Sequence, residues 1–325
     1  MAHCILAEIP FRTGYSLCRW REATNVMILK EEGNHHLEKL RTIVCYEADM
    51  NHNSKFLGNQ MMRHTVGNGS IAQEQFSVPG KKCVDHTLNR RIVFYLSRYM
   101  KYSVAMTSCD LKSRYDRVAH TPAVLAMLGF GVPEQPLYSM FHAIQNMQYI
   151  TRTVYGDSDA TFGGRENFMA APQGLGQGNG SGPQIWSVVS SRMFKVLTDR
   201  DLATRFPLPI SKKARELCGF AFVDDCDLLA SADGTNDPNV TLDKMQEVID
   251  TWEGVAKSTG GALAPEKSWW YSMYYEWNNK GDWSYATYDD IGSRDLFARD
   301  ANNIEKHSST CQCIKEKRCW VFICN

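Results

Sequence analysis

The alternation of apolar and polar positions divides the chain into short elements. Val26-Met27-Ile28-Leu29 and Thr42-Ile43-Val44-Cys45-Tyr46 predict strands, with a loop over 31–36 between them. A helix is expected over 55–64, then a polar, glycine-containing loop over 67–80. Between 84 and 100, Leu88, Ile92, Tyr95, Leu96 and Tyr99 recur at i, i+4 and i+7, the spacing of an amphipathic helix. Residues 103–110 predict a strand that ends on an acid, Asp110. Helices are expected over 123–128 and 137–149, an alternating strand over 149–155, and a helix over 184–199 after the glycine-rich stretch 163–183. Gly219-Phe220-Ala221-Phe222-Val223 predicts a strand running into Asp224-Asp225. The helix over 242–257 has apolar Met245, Val248, Ile249 and Trp252 on one side. The last forty or so residues lose this patterning, and no internal repeat is visible.

Composition sets the class. The 325 residues, 43% hydrophobic and 22% charged, suffice for one large core or two modest ones and exclude a disordered chain. No apolar run is long enough to span a bilayer, and the N-terminus lacks the basic start and long apolar stretch of a secretory signal. Seven of the eleven cysteines (Cys4, Cys18, Cys45, Cys83, Cys109, Cys218, Cys226) are scattered singly, which fits reduced thiols in an intracellular protein, cytoplasmic or nuclear, that is not secreted. Cys311, Cys313, Cys319 and Cys324 cluster near the C-terminus. Their spacing is unusual for zinc, and an unstructured tail is the alternative.

A net charge of zero hides an asymmetry. Residues 1–120 carry 17 Lys/Arg against 11 Asp/Glu, and the remainder is correspondingly acidic. Nine of these bases fall in 81–120, including Lys81, Lys82, Arg90 and Arg91. A basic band beside an acidic centre suits a polyanion held near metal ions; an ordinary solvated helix face is the plainer account.

The acids carry the chemistry. Nucleotidyl transfer with two Mg²⁺ ions, ~4 Å apart, needs carboxylates converging from separate strands to hold the attacking and leaving oxygens. Mg²⁺ takes hard oxygen ligands and leaves positions for water and phosphate. Asp110 and the pair Asp224-Asp225, each at a strand end, meet this need. A strand followed by Asp-Asp is common, so its weight comes from the order of the elements around it.

That order resembles the reverse transcriptases of non-LTR retrotransposons and group II introns over roughly residues 11–277. Asp110-Leu-Lys-Ser-Arg-Tyr115-Asp116 is similar to the family's first catalytic motif. The resemblance implies that Asp110 is a metal ligand and that Tyr115 is a steric gate against a ribose 2′-OH. The segment 172–183 is similar to the second motif, Gln-Gly-x-x-x-Ser-Pro. Registers starting at Gln173 and at Gln177 are both conceivable. Gln177-Gly178 has Pro183 in place, with Gly182 where Ser is usual, and is preferred. A plain flexible loop is the alternative. Phe222-Val223-Asp224-Asp225 matches the third motif, which implies Asp224 as the main ligand and Asp225 as its partner. The run from Gly260 to Ser268 is close to the fourth, Gly-x-x-Leu-x-Pro-x-Lys-Thr, placing Lys267 near the pyrophosphate leaving group as a possible proton donor. Trp269-Trp270-Tyr271 looks like the start of a primer-grip strand. Upstream, Lys39-Leu40-Arg41-Thr42-Ile43 resembles the fingers motif, with Arg41 on the triphosphate and Thr42 for the usual Pro; Asp49 and Lys55 follow as in the family. The run from Gly14 to Gly58 is similar to a retroelement group of unicellular algae.

The resemblance implies an α+β right-hand polymerase fold of fingers and palm, the antiparallel palm sheet backed by helices and the thumb largely absent. The expected organisation is an N-terminal tail (1–10), a fingers-like region (11–104), a palm with the catalytic motifs (105–285) and an irregular Cys-rich tail (286–325). The implied activity is RNA-directed DNA synthesis: dNTPs joined to a primer 3′-OH on an RNA template, with two Mg²⁺ ions that Mn²⁺ can replace. Catalytic residues would be Asp110, Asp224, Asp225 and Lys267, and the first three would hold metal. Arg41, Tyr115, Gln177 and Gly178 would bind nucleotide. Lys81, Lys82, Arg90, Arg91, Trp269 and Trp270 would meet template and DNA primer. No membrane partner is expected. The alternative is a truncated, catalytically inactive retroelement remnant that keeps the fold and binds nucleic acid. An RNA-making polymerase conflicts with the Tyr115 gate, and a Ca²⁺-binding scaffold conflicts with the acids over 224–237, which lack EF-hand spacing.

Overall fold

The computed structural model describes residues 2–34, 36, 39–164, 173–208, 211, 213–232, 234–286, 294–307 and 309–310. Pro172 and the cluster Cys311, Cys313, Cys319 and Cys324 lie outside the described residues. The chain forms two units, one from residues 1–70 and 113–189, the other from 71–112 and 190–325. Each is visited twice, so no single cut along the sequence separates them.

The first unit opens with α1 (Ala2–Thr13), β1 (Glu22–Leu29), β2 (Leu40–Tyr46) and α2 (Ala48–Gly67). The stretch expected as an N-terminal tail is thus largely helix. It ends where Gly14 takes a positive φ of 74° and its amide bonds back to the Pro10 carbonyl. The chain then supplies α3 (Cys83–Met100) and β3 (Val104–Cys109) to the second unit and returns with α4 (Arg114–Arg117), α5 (His120–Gly129), α6 (Glu134–Gln145), β4 (Gln148–Thr153), β5 (Gly156–Asp157) and β6 (Phe162–Gly163). The sheet of this unit runs β2-β1-β4-β5, with β6 also on β4. β1 is antiparallel to β2 and parallel to β4.

After α7 (Gly182–Asp199) come β7 (Thr204–Pro207), β8 (Ala214–Leu217), β9 (Gly219–Phe222), β10 (Asp225–Ser231), α8 (Pro238–Ser258), β11 (Trp269–Met273), β12 (Tyr275–Trp277), β13 (Trp283–Tyr285), β14 (Phe297–Arg299), β15 (Glu305–His307) and β16 (Ser309–Thr310). The main sheet of the second unit has the order β16-β11-β3-β10-β9. Its central pairs, β3 with β10 and with β11, are antiparallel. β3 is buried on both faces, which explains why Val104-Ala105-Met106 reads as a continuous apolar run.

Helices account for that double burial. α8 packs along β3 and β10, and its Met245, Val248, Ile249 and Trp252, the apolar positions of the sequence pattern, are all buried. Pro238 starts the helix and the Asp237 carboxylate caps it by accepting from the Asn239 amide at 2.8 Å. The other face carries Met106, Phe220 and Leu229 and is covered by Val93, Phe94, Leu96 and Met100 of α3.

α3 corrects the pattern. Leu88, Ile92, Tyr95 and Tyr99, the positions that suggested its apolar face, are exposed, and only Leu96 of that set packs on the core. The helix carries a second stripe, His86, Arg90, Val93 and Ser97, and this is the one turned to the sheet. Among the described residues no helix is long and apolar enough to cross a membrane.

Candidate active site

The Asp-Asp pair sits on a two-residue hairpin. Phe222 pairs with Asp225 across β9 and β10, leaving Val223 and Asp224 as the turn. Val223 has φ 54°, while Asp224 is not in the positive-φ region. One positive φ at the first turn position is the signature of a type II′ turn, which matches the twist of the flanking strands. Glycine normally fills that position; a β-branched residue there is strained, and such strain concentrates at functional sites. The turn leaves Asp224 and Asp225 exposed.

Asp110 reaches the same end of the sheet from β3. Cys226 pairs with Cys109, so one step further along the antiparallel register Asp225 stands across from Asp110. A third segment fixes Asp110. Leu111 and Leu263 form an antiparallel bridge; the Ala264 amide donates to the Asp110 carbonyl at 2.9 Å, and the Lys112 amide to the Ala262 carbonyl at 2.9 Å. The Asp110 amide donates to Ser268 Oγ at 3.2 Å. This clamp brings Lys267 beside Asp110, with Nζ 3.9 Å from Oδ2. The fourth motif is therefore bonded along its length to the first. The sequence offered the motif but not this pairing, and Ser268 is a supporting residue that it did not single out.

The donor set suits Mg²⁺. All three acids offer hard oxygens from adjacent strand ends. Among the described residues no group of three His, Cys, Asp or Glu stands close enough to hold a metal ion unaided. Mg²⁺ is characteristically held by one or two carboxylates, with water and substrate phosphates completing its shell, so the residues fit such an ion.

The residues expected to meet nucleic acid divide. Lys82 and Arg91 are exposed. Lys81 is tethered, its Nζ donating to the Gln75 carbonyl at 2.8 Å and lying 4.5 Å from the centre of the Phe76 ring. Arg90 faces inward, its guanidinium 3.1 Å from the buried Asp227 carboxylate. Trp270 is only 1% exposed, on the sheet face of Thr107 and Leu228, and is not available to a partner. Strand alternation is the reason: of the neighbouring tryptophans only Trp269 is on the other face, stacked on Tyr271 at 5.5 Å.

Arg41, Tyr115, Gln177 and Gly178 belong to the first unit. Arg41 is exposed on β2. The glycine-rich loop is stapled to the same strand: the Val44 amide donates to the Gln177 carbonyl at 2.6 Å and Tyr46 Oη to the Leu175 carbonyl at 2.7 Å. Asn51 donates to the Gly178 carbonyl at 3.1 Å. Gly178 has φ 126°, and a Cβ there would overlap the Val44 carbonyl oxygen. The Tyr115 ring lies against Gly182, where a Cβ would stand 3.5 Å from it, so the Ser usual at that position would fit. Arg114, itself buried, spans the rings of Tyr115 and Trp186 at 5.3 and 4.8 Å. Burial raises the Tyr115 phenol above its usual range.

No family model matches the chain, and no curated protein matches it. Solved structures do. The chain is similar to apo telomerase from Candida tropicalis, with TM-score 0.52 and 11% identity over 89% of this chain and 49% of that one. It is also similar to telomerase from Candida tropicalis in complex with the TWJ fragment of telomeric RNA, with TM-score 0.50 and 14% identity over 79% and 42%. The chain spans about half the length of the telomerases it matches. At these identities the likeness is one of fold: mixed helices and largely antiparallel sheets, arranged as in those telomerases.

Proposed function

We propose that the chain is the polymerase core of a reverse transcriptase of the non-LTR retrotransposon or group II intron type, an RNA-directed DNA polymerase acting inside the cell. The observation that carries this reading is the ladder of β3 and β10, whose last pair, Cys109 with Cys226, is followed by Asp110 on one strand and preceded by Asp225 on the other, beside a strained hairpin and a lysine. The fold likeness to telomerase agrees with it, since one of the telomerases is solved with telomeric RNA.

Asp110, Asp224 and Asp225 would hold Mg²⁺, or Mn²⁺ in its place. When bound, the metal supplies charge stabilisation at the attacking and leaving oxygens. The remaining work falls to the chain's own side chains. Lys267 gives a proton or a hydrogen bond to the departing pyrophosphate. Arg41 grips the triphosphate with its planar fork. Tyr115 excludes a 2′-OH by bulk and so selects dNTPs. The Gln177-Gly178 backbone lies against the incoming nucleotide. Lys81, Lys82, Arg91 and Trp269 receive the RNA template and DNA primer.

Primer extension on an RNA template with Mg²⁺ tests the reading. Incorporation of dNTPs by wild type and its loss in Asp224→Ala are expected; equal incorporation by the two would sink it. A second reading is a catalytically inactive remnant that keeps the fold and binds nucleic acid. It expects RNA binding without incorporation.

A further inference from the structure

β10 carries a second acid where the pattern asks for an apolar residue. Asp227 lies two residues past Asp225 on the same side of the sheet. Its neighbours there are Met106, Phe220 and Leu229. Yet the side chain is a carboxylate with 4% of its surface exposed. Two residues of α3, one turn apart, reach it: Arg90 Nη1 at 3.1 Å and His86 Nε2 at 3.4 Å from Oδ2. Ser108, directly opposite in β3, hydrogen-bonds the same carboxylate, and Tyr271 of β11 hydrogen-bonds Arg90. Three elements, β10, α3 and β3, therefore meet on one carboxylate, with β11 joined to it through Arg90, at the next same-face rung below Asp225 and Asp110.

Stability alone is a poor reason for this arrangement. A buried ion pair loses in desolvation much of what it gains in attraction, and apolar replacements of similar size are often neutral or better. The network instead joins the two strands that carry the candidate acids to a helix and a third strand. We propose that Arg90, with His86, is a positioning residue: through Asp227 it fixes the β9–β10 hairpin against β3 and keeps Asp225 beside Asp110. The catalytic consequence rests on the polymerase reading; the mechanical one does not.

The Arg90→Met/Asp227→Leu double variant removes the pair without stranding a buried charge. Three readouts are compared with wild type: amide hydrogen exchange over 219–228, Mn²⁺ binding by electron paramagnetic resonance, and kcat and KM for dNTP incorporation. Hairpin amides are expected to exchange at least about tenfold faster while those of α8 do not change. Mn²⁺ affinity and kcat each fall about tenfold, with KM within about twofold. Unchanged exchange over the hairpin overturns the proposal, whatever the activity. Faster exchange in a protein whose wild type neither binds Mn²⁺ nor incorporates dNTPs upholds the clamp and removes the polymerase reading. Should the double variant not fold, Asp227→Asn, which keeps the shape and drops the charge, is read by the same exchange with the same two outcomes.

Discussion

Lys267 Nζ lies 3.9 Å from Asp110 Oδ2, and the two residues are held in that relation by backbone bonds between their segments rather than by the ion pair itself. Both side chains are substantially exposed, so the attraction adds little to stability. The proposed polymerase function gives the pairing a catalytic role. Lys267→Met should leave the unfolding midpoint within a degree or two and lower kcat about 10²-fold with little change in KM, the pattern of a lost proton donor. Asp110→Ala should remove incorporation altogether. Steady-state primer extension checks both; a Lys267→Met enzyme with wild-type kcat would exclude the lysine from the chemistry.

Tyr115 packs its ring against Gly182 and is covered from the side by Arg114. A ring held this way cannot swing aside cheaply, which is what a steric gate requires. Tyr115→Ala should raise the use of rNTPs relative to dNTPs at least about tenfold, because an open pocket discriminates poorly against an added hydroxyl. Competition of rNTPs with dNTPs in single-nucleotide incorporation measures the ratio. Unchanged sugar selection would mean that the gate lies elsewhere.

Gly178 and Gly254 should respond to alanine in opposite directions. Gly178 has φ 126° and no room for a Cβ beside the Val44 carbonyl, so Gly178→Ala should destabilise by about 2–4 kcal/mol. Gly254 lies in the exposed interior of α8 with nothing within 4 Å of a new Cβ, so Gly254→Ala should stabilise by about 0.5–1 kcal/mol. Thermal unfolding of both variants beside wild type decides. Equal shifts would argue against the stapled loop.

Much of this architecture is legible in the sequence because its signals are local. The apolar stripe of α8, the continuous run of β3 and the Phe-Val-Asp-Asp hairpin each depend on neighbours within a few residues. What is not legible depends on distant partners. The Gly-rich loop bonds to β2, more than a hundred residues earlier. The clamp of 262–264 on 110–112 is equally remote. α3 has two plausible inner faces, and its own periodicity cannot choose between them; the carboxylate of Asp227, which Arg90 must meet, selects the less apolar one. The same choice turns a basic residue expected to face nucleic acid into the core. Asp227 did leave a trace, as a lone acid in the apolar run Cys226 to Ala230, which is the kind of local conflict that marks a functional site.

His86 should make stability depend on pH, and the sign follows from its surroundings. Burial is the main force on its imidazole, and the Arg90 cation adds to it; against a smaller opposing pull from Asp225 they push its pKa down to about 4. In the unfolded chain it titrates near its ordinary value of about 6.5. Between these values the unfolded chain binds a proton that the folded one does not, so acid favours unfolding and stability falls as pH drops. The full effect is about 3 kcal/mol, an order of magnitude rather than a constant. Asp227 works against it: burial raises its carboxyl, so its folded form takes up a proton more readily as pH falls. The two contributions separate by difference. His86→Gln removes the imidazole while Asp227 remains, so its stability relative to wild type should improve steadily from pH 7 to pH 4. Urea unfolding at four pH values across that window measures the difference, and a difference constant with pH would mean that folding leaves the His86 pKa where it stands in the unfolded chain.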